Sequence, residues 1–215
     1  MHTIDIYITS DFICPWCWIG YKNLSLAVQK AGMQEVVKPH FLPFELNPDM
    51  PTNGMDRREY RVRKFGTWEN AHEKDRTLVK AGHLVGLEFN YESIARTPNT
   101  RAAHRLMGFV QEKDDGNAAL LYEQLFSAYF NEGKDTGNIE VLSQLGHAAG
   151  YDRQEVERYL AGSDGELEVI AAQQLAVNKG IASVPFYEME GHALSGAQPV
   201  SAFTEILLSR LHTGF

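Results

Sequence analysis

Both cysteines of this 215-residue chain lie in one four-residue segment, Cys14-Pro15-Trp16-Cys17. Two cysteines separated by two residues can close a small disulfide, but so short a ring constrains the unfolded chain less than a long loop would, so stability does not explain the pair. The spacing does permit fast, reversible exchange, because one sulfur can attack a partner and the second can then displace that partner from the mixed disulfide. The segment therefore predicts thiol–disulfide chemistry.

The flanking sequence predicts how the two thiols are positioned. Ile4-Asp5-Ile6-Tyr7-Ile8 alternates apolar and polar residues as a strand does, and residues 15–31 have helical spacing of apolar side chains with a stop at Gly32. Proline is well suited to the first position of a helix, so we expect Cys14 at the N-cap and Cys17 in the first turn. Unpaired N–H groups and the positive end of the helix dipole favour a thiolate there, which predicts a low thiol pKa.

Two other interpretations of the cysteine pair are weaker. A structural zinc site needs four ligands, and the chain has neither a second CxxC segment nor an HxxxH pattern among its eight histidines. An inert buried pair would leave the proline at the helix start as a coincidence. No P-loop, GxSxG or strand-linked GxGxxG motif is present, so the sequence implies no metal, nucleotide or flavin cofactor.

Composition and charge restrict the class of protein. With 44% hydrophobic and 22% charged residues, the chain is typical of a globular protein with one large domain or two interleaved ones. A formal net charge of −8 argues against nucleic acid or an anionic membrane as the main partner. The sequence has no recognisable export signal and no stretch of roughly 20 apolar residues, so we expect a cytoplasmic protein. A reducing compartment favours a catalytic disulfide over a structural one.

The order of predicted elements indicates the fold. A strand, a helix and a second strand at residues 36–42 form a β-α-β unit, a long helical stretch follows, and a hairpin at residues 184–194 precedes a last helix. This order predicts an α/β, thioredoxin-like fold with a large all-helical insertion. We expect residues 1–43 and 180–215 to form the thioredoxin-like part and residues 44–179 the insertion.

Three local signals inside the insertion lead to further expectations. Asn99 is a good N-cap for the helix that follows it, and Ser163 with Glu166 forms a capping-box pattern. The segment from Arg57 to Lys64 is basic in an acidic protein, and it could attract an anionic ligand such as glutathione. Isolated runs of charge are more often solvated helix faces, and that interpretation is the favoured one.

Several motifs together resemble the FrnE-like branch of the DsbA family of thiol–disulfide oxidoreductases, over nearly the whole chain. They are SDFICPWCWIG at 10–20, FELNP at 44–48, PNT at 98–100, AHRL at 103–106, GIASVPF at 180–186 and SGAQP at 195–199. The joint pattern is far more specific than a CxxC segment alone. One departure is Ser183, where the family often has glycine.

The resemblance implies roles for individual residues. Cys14 would be the exposed nucleophile and Cys17 the buried resolving thiol. Val184–Pro185 would be a cis peptide packed against the disulfide, with the Val184 backbone offered to an extended substrate. We also expect Pro15, Trp16 and Phe12 to contact the substrate; Trp18 is equally well explained as a core residue.

The implied activity is dithiol–disulfide exchange or disulfide isomerisation on a protein or small thiol substrate, with glutathione a candidate co-substrate. Because Pro-Trp places no cationic side chain beside Cys14, we expect a less oxidising couple than that of periplasmic DsbA.

Two alternatives to this activity stay open. The related kappa-class glutathione transferases and 2-hydroxychromene-2-carboxylate isomerases have a similar fold but carry a serine in place of the first cysteine. Retention of Cys14 and Cys17 argues against that activity, because activating glutathione needs no resolving thiol. The other alternative is a binding or chaperone-like module that uses the groove between the sheet and the insertion, and its binding would survive loss of both thiols.

Overall fold

The computed structural model describes residues 3–113 and 115–209. The first strand, β1 (Ile4–Ser10), leads into α1 (Pro15–Ala31) and then into β2 (Val37–Pro43). After the insertion the chain returns as β5 (Phe186–Met189), β6 (His192–Ser195) and α9 (Val200–Ser209). The sheet order is β2-β1-β5-β6, with β1 parallel to β2 and antiparallel to β5. The predicted thioredoxin-like arrangement is confirmed.

The register of the sheet follows the alternation seen in β1. Ile4 lies opposite Val37 across the parallel pair, and Ile8 lies opposite Tyr187 across the antiparallel pair. Ile6, Ile8 and Tyr187 are fully inaccessible to solvent. Because successive side chains of a strand point to opposite faces, the even-numbered residues of β1 form its buried face.

The insertion is helical apart from one small two-stranded sheet that the sequence did not predict. That sheet pairs β3 (Met55–Asp56) with β4 (Arg96–Thr97). Its described helices are α2 (Arg57–Phe65), α3 (Trp68–His83), α4 (Arg101–Gln111), α5 (Asp115–Phe130), α6 (Ile139–Ala148), α7 (Arg153–Ala161) and α8 (Glu166–Asn178). The division of the chain at residues 43/44 and 179/180 stays a prediction, and residues 1–2, 114 and 210–215 lie outside the described residues.

One continuous hydrophobic core joins the sheet to the insertion. Trp18 of α1 stacks on Phe126 of α5, with ring centroids 6.0 Å apart and planes 8° apart. The indole N–H of Trp18 donates a 2.8 Å hydrogen bond to Glu123 Oε2, which satisfies the polar atom of this otherwise buried side chain. Burial of apolar area across this boundary is the main stabilising contribution that holds α1 against α5.

Some helix boundaries differ from those predicted. α1 begins at Pro15 and ends at Ala31, as expected, and Gly32 at its C-cap has a φ of 67°, in the left-handed region that favours glycine. α4 begins one residue later than expected, with Thr100 at the N-cap, and the Asn99 side chain accepts from the Arg101 N–H at 3.0 Å. The predicted capping box is wrong. Gly165 is the N-cap of α8, it has a φ of 75°, and no side chain caps that helix end.

None of the helices in residues 3–113 and 115–209 is both long enough and apolar enough to span a bilayer.

Candidate active site

The loop between β1 and α1 places the two cysteines at the start of the helix. Cys14 is the N-cap residue in extended conformation, with φ −95° and ψ 108°, and Pro15 occupies the first helical turn. The Cys14 N–H donates to the Asp11 carbonyl at 3.0 Å, and the Cys17 N–H donates to the Cys14 carbonyl at the same distance. The predicted positions of the two cysteines are therefore confirmed. Proline is tolerated in the first turn of the helix because its missing N–H costs nothing there.

Both thiols are free, and they differ in burial less than expected. Cys17 is fully inaccessible, as the resemblance implied, but Cys14 is only 7% exposed. The expectation of an exposed Cys14 is therefore wrong, since the residue is buried with its thiol against the Val184 carbonyl. Trp16 is 42% exposed and Pro15 is half-buried, so these two residues form the outer surface of the turn.

The two thiols have pKa values displaced in opposite directions. The pKa of Cys14 is lowered chiefly by a hydrogen bond from the Cys17 thiol, against the opposing effect of burial; the backbone N–H groups of Cys17 and Trp16 lower it further, and the charge of Asp11 raises it. Burial raises the pKa of Cys17 well above its usual value, and its interaction with Cys14 adds to this. Cys14 is thus the thiol that ionises first, in the predicted direction. The helix N-terminus, which the sequence indicated as the cause of a low pKa, contributes less to this lowering than the hydrogen bond from Cys17.

The residues Val184 and Pro185 lie directly against Cys14. Their peptide bond is cis, as the resemblance implied, and the Cys14 thiol lies 3.7 Å from the Val184 carbonyl oxygen. The Gly196 N–H donates to the Pro185 carbonyl at 2.8 Å and holds the loop to the start of the last segment. A Cβ atom at Gly20 of α1 would lie 3.2 Å from Pro185 Cγ and would clash with the Tyr187 hydroxyl, so this close approach requires glycine.

Phe12 is not available to a substrate. The residue is fully inaccessible, and its ring packs against His104, Tyr122 and Phe126 with centroid separations of 4.9, 5.6 and 5.3 Å. The prediction that Phe12 contacts the substrate is therefore wrong. Trp18, which had two explanations, belongs to the core and is 3% exposed.

Two buried polar residues near the cysteines went unrecognised as part of the site. Asp11 is fully inaccessible, and its Oδ2 accepts from the Leu46 N–H at 2.7 Å. Its Oδ1 lies 3.6 Å from His104 Nε2, and neither atom has a hydrogen-bond partner within the described part of the chain. The carboxylate raises the pKa of both cysteines. The signal in the sequence is an acidic residue three positions before Cys14, which is meaningful only once the loop is known to be buried.

A cavity of about 400 Å³ opens beside the cysteine turn. The turn contributes Cys14, Pro15 and Trp16 to its lining, and α2 and α3 contribute eight further residues. The residues of α2 and α3 that line it are Arg57, Tyr60, Arg61, Lys64, Phe65, Lys74, Thr77 and Leu78. This volume suits a small molecule or one short chain segment.

The basic segment predicted as a solvated helix face forms α2, and that interpretation is wrong for two of its residues. Arg57 is only 6% exposed, and the Arg61 side chain is 13% exposed. Arg58, Arg63 and Lys64 are exposed as expected. The difference arises because Asp75 of α3 pairs with both buried guanidinium groups.

Comparison with known proteins matches this chain to one family model and to many solved structures. The model of the DSBA-like thioredoxin domain matches residues 3–208. A probable DsbA oxidoreductase from Streptomyces coelicolor is 26% identical, with a TM-score of 0.87 over 99% of this chain and 92% of that one.

Two further structures share the fold at lower identity. One is a 2-hydroxychromene-2-carboxylate isomerase, 16% identical with a TM-score of 0.68 over 97% of this chain and 96% of that one. The other is the cytosolic disulfide reductase DsbM of Pseudomonas aeruginosa, in a structure with GSH, 15% identical with a TM-score of 0.67 over 97% of this chain and 99% of that one.

Proposed function

The chain belongs to the DSBA-like thioredoxin domain family, and on that premise we propose that it is a dithiol–disulfide oxidoreductase that uses Cys14 and Cys17. The observation that carries the proposal is the asymmetry of the pair. Cys14 at the helix N-terminus has a lowered pKa, whereas Cys17, one turn further on, is fully buried and has a raised one. A thiolate attacks and a neighbouring protonated thiol resolves, so this asymmetry assigns one role to each sulfur.

In the reducing direction the proposed reaction has two steps. The Cys14 thiolate attacks a substrate disulfide, a bond forms between Cys14 and one substrate sulfur, and the other substrate sulfur leaves as a thiolate. Cys17 then loses its proton and attacks Cys14, the mixed disulfide breaks, and the second substrate thiolate leaves. Two electrons pass from the protein dithiol to the substrate, and oxidation or isomerisation of a substrate uses the same steps in other orders. The electrons are held by sulfur throughout, so the reaction requires no metal, flavin or nucleotide.

The loop at Val184 and Pro185 is proposed to align the substrate. The Val184 carbonyl lies beside the Cys14 sulfur, where an extended substrate could pair with the backbone while its disulfide reaches the thiol. Pro15 and Trp16 would contact the flanks of the substrate, because they form the exposed rim of the turn. Pairing through the backbone depends little on the side chains of the substrate, so it suits protein substrates of varied sequence as well as small thiol substrates.

We propose glutathione as a co-substrate that restores the dithiol or carries the disulfide. DsbM, which shares the fold, has a structure with GSH, and a cationic cavity borders Cys14 in this chain. We also propose that the reaction takes place in the cytoplasm, where thiols are kept reduced. DsbM is likewise described as a cytosolic reductase.

A second candidate is a glutathione-dependent transferase or isomerase of the 2-hydroxychromene-2-carboxylate isomerase type. The observation that favours it is the cavity beside Cys14, which has room for a small molecule, together with the shared fold. Such a reaction needs an activated thiol but no redox partner, so it gives Cys17 no role.

The experiment that separates these candidates is a redox equilibrium. The protein is held at graded ratios of reduced to oxidised glutathione, quenched in acid, alkylated, and its free thiols are counted by mass. We expect Cys14 and Cys17 to oxidise together as one two-electron couple, between about −270 mV and −120 mV and more negative than the DsbA end of that range. If only glutathione adducts or unchanged thiols form at every ratio, the oxidoreductase proposal is abandoned for the transferase or isomerase.

A partner-binding assay with a Cys14→Ser/Cys17→Ser variant addresses the non-enzymatic alternative. Binding of an unfolded protein substrate that survives in this variant would favour a binding module. Loss of all covalent adducts together with loss of exchange is the result expected of the oxidoreductase.

A further inference from the structure

A buried group of three charges lies beside the cavity that borders Cys14, and its two arginines form part of the cavity wall. Arg57 and Arg61 lie one turn apart on α2, and both donate to Asp75 of α3, with Arg57 Nη2 at 2.6 Å from Asp75 Oδ2 and Arg61 Nη2 bound to the other oxygen. The side chains of Arg57 and Asp75 are each 7% exposed. Two guanidinium groups share one carboxylate, so a surplus positive charge remains where water is largely excluded.

Two polar atoms of this wall have no hydrogen-bond partner within the described residues. They are Arg61 Nε and the hydroxyl of Tyr91, and both are buried and belong to residues that line the cavity. A buried donor without an acceptor is costly, and native proteins leave few of them. Burial is also the main cause of the lowered pKa of Arg61, since it disfavours the charged form. The wall therefore holds two polar groups, Arg61 Nε and the Tyr91 hydroxyl, for which the described part of the chain supplies no acceptor.

The rest of the cavity has the same electrostatic sign. Lys64 and Lys74 lie exposed at its rim, and its lining includes four cationic residues but no aspartate or glutamate among the residues described. Tyr129 and Phe130 add an aromatic surface. Cys14 lines the same cavity, so a ligand held by Arg61 lies in the space that Cys14 borders.

We propose that this cavity recognises a carboxylate on a low-molecular-weight disulfide, with the carboxylate bound by Arg61 and Tyr91 while a disulfide sulfur lies at Cys14. The planar guanidinium fork matches a carboxylate, and a charge-assisted hydrogen bond is strongest where water is excluded. The inference rests on the proposed function and narrows its substrate class to anionic small disulfides.

The chemical step is balanced without any further reagent. Cys14 thiolate bonds to one sulfur of the small disulfide, and the other half leaves as a thiolate that takes a proton from water. Cys17 gives up its proton and closes the Cys14–Cys17 disulfide, and the second half leaves as a thiolate. The protein loses two electrons and the small disulfide gains them.

Three small disulfides of different charge test the proposal on the reduced, full-length protein. They are 3,3′-dithiodipropionate, which is dianionic, bis(2-hydroxyethyl) disulfide, which is neutral, and cystamine, which is dicationic. Rates of oxidation of the protein are measured by acid quench, alkylation and mass. Each rate is divided by the rate at which the same disulfide reacts with dithiothreitol, which removes the intrinsic reactivity of the disulfide. We expect the dianionic disulfide to be favoured over the neutral one by about tenfold or more, and cystamine to be disfavoured.

Substitutions then locate the preference. Arg61→Gln removes the buried guanidinium, and Lys64→Gln removes a rim charge without disturbing buried contacts. Lys80→Gln is the matched control, because Lys80 lies exposed on α3 outside the cavity lining and its loss changes the net charge equally. We expect Arg61→Gln and Lys64→Gln to reduce the preference for the dianionic disulfide over the neutral one, and Lys80→Gln to retain both that preference and the rate with the neutral disulfide. If Arg61→Gln fails to fold, the three-disulfide comparison and Lys64→Gln still decide.

Each contrary result has a separate meaning. The proposal is overturned if the three disulfides oxidise the protein in proportion to their rates with dithiothreitol, or if Lys80→Gln loses as much preference as the cavity variants. Either result leaves the proposed oxidoreductase function standing. If none of the three disulfides oxidises the protein, the proposed function fails instead. Calorimetric titration of the Cys14→Ser/Cys17→Ser variant with dithiodipropionate then shows whether the carboxylate is bound, and absence of binding rejects the anion site as well.

Discussion

The Cys14 thiol lies 3.7 Å from the backbone carbonyl of Val184, although 170 positions separate the two residues in the chain. Cys14 reaches this contact from the start of α1, and Val184 reaches it from the loop before β5. The sheet brings them together because β1 pairs directly with β5. The proposed nucleophile and the backbone proposed to align its substrate thus come from the two chain segments that flank the insertion.

Substitution of each cysteine is expected to have a different effect. Cys17→Ser leaves the Cys14 nucleophile but removes the thiol that resolves the mixed disulfide, so a covalent adduct with a disulfide substrate should accumulate. Cys14→Ser should form no adduct, because Cys17 is fully buried. Mass spectrometry of the acid-quenched proteins measures both results. Adducts on Cys17 in the Cys14→Ser variant would reverse the assigned roles.

The pH dependence of Cys14 alkylation follows from its lowered pKa. A thiolate forms as the pH rises through the pKa, so the alkylation rate should reach half its maximum below the ordinary thiol value of about 8.5. The largest cause of the lowering is the hydrogen bond from Cys17, so Cys17→Ala should move the midpoint to higher pH. Cys17→Ser, which keeps a hydroxyl donor, is the matched control and should move it less. An unchanged midpoint in Cys17→Ala would assign the lowering to the helix end instead.

The close approach of α1 to the Pro185 loop predicts a specific effect at Gly20. A methyl group there would lie 3.2 Å from Pro185 Cγ and would meet the Tyr187 hydroxyl, so Gly20→Ala must displace the loop. We expect a loss of about 1–3 kcal/mol in the free energy of unfolding, typical of overpacking, together with slower exchange. Gly108→Ala is the control, because nothing lies within 4 Å of a methyl group at that helical position. It should stabilise the protein by up to about 1 kcal/mol. Equal urea midpoints for the two variants would contradict the prediction.

Much of the site could be predicted because its signals are local. Pro15 at the first helical position and the two-residue spacing of Cys14 and Cys17 need no tertiary information, and the structure has the helix from Pro15 to Ala31. The contact with Val184 is different in kind, since only the resemblance joined these distant segments. Local propensity sets helix starts, whereas the pairing of distant segments depends on the whole fold.

The wrong predictions for Phe12, Arg57 and Arg61 share one physical cause, which is burial decided by distant residues. Phe12 lies in a short loop without periodicity, so nothing in its neighbourhood indicates that it faces Tyr122 and Phe126. Arg57 and Arg61 resemble any exposed basic run until Asp75 of the next helix pairs with both. A charged residue is normally exposed unless it is paired, and the sequence does not identify the partner.

Arg105 is expected to be a stabilising residue of the insertion. Its buried guanidinium donates to four backbone carbonyls, those of Tyr159, Leu160, Gly162 and Asp164, at 2.7 to 3.1 Å. These bonds satisfy backbone carbonyl groups at the end of α7 and in the turn before α8. The N-terminus of α8 has no side-chain cap. Arg105→Met leaves several buried acceptors unpaired and should lower the free energy of unfolding by about 2–4 kcal/mol.

The control for that substitution is Arg158→Met on the exposed face of α7. Arg158 makes one 3.2 Å hydrogen bond to the Gln154 carbonyl within its own helix. Its substitution should change stability by about 0.5 kcal/mol or less. Urea denaturation followed by circular dichroism measures both variants, and similar midpoints would show that the Arg105 bonds contribute little.

Trp16 and Phe12 provide a comparison between an aromatic ring at the rim of the site and one in the core. Trp16 is 42% exposed beside Cys14, whereas Phe12 is fully buried among aromatic rings. Phe12→Ala removes core contacts and leaves a cavity, so it should lower the free energy of unfolding by about 3–5 kcal/mol.

Trp16→Ala should change stability by about 1 kcal/mol or less. It should nevertheless raise KM for a protein disulfide several-fold, because substrate contact at the rim is lost. Urea midpoints together with steady-state exchange kinetics separate the two effects. A Trp16→Ala variant with unchanged KM and lowered stability would place Trp16 in the structural framework and leave Pro15, Val184 and Pro185 as the proposed substrate contacts.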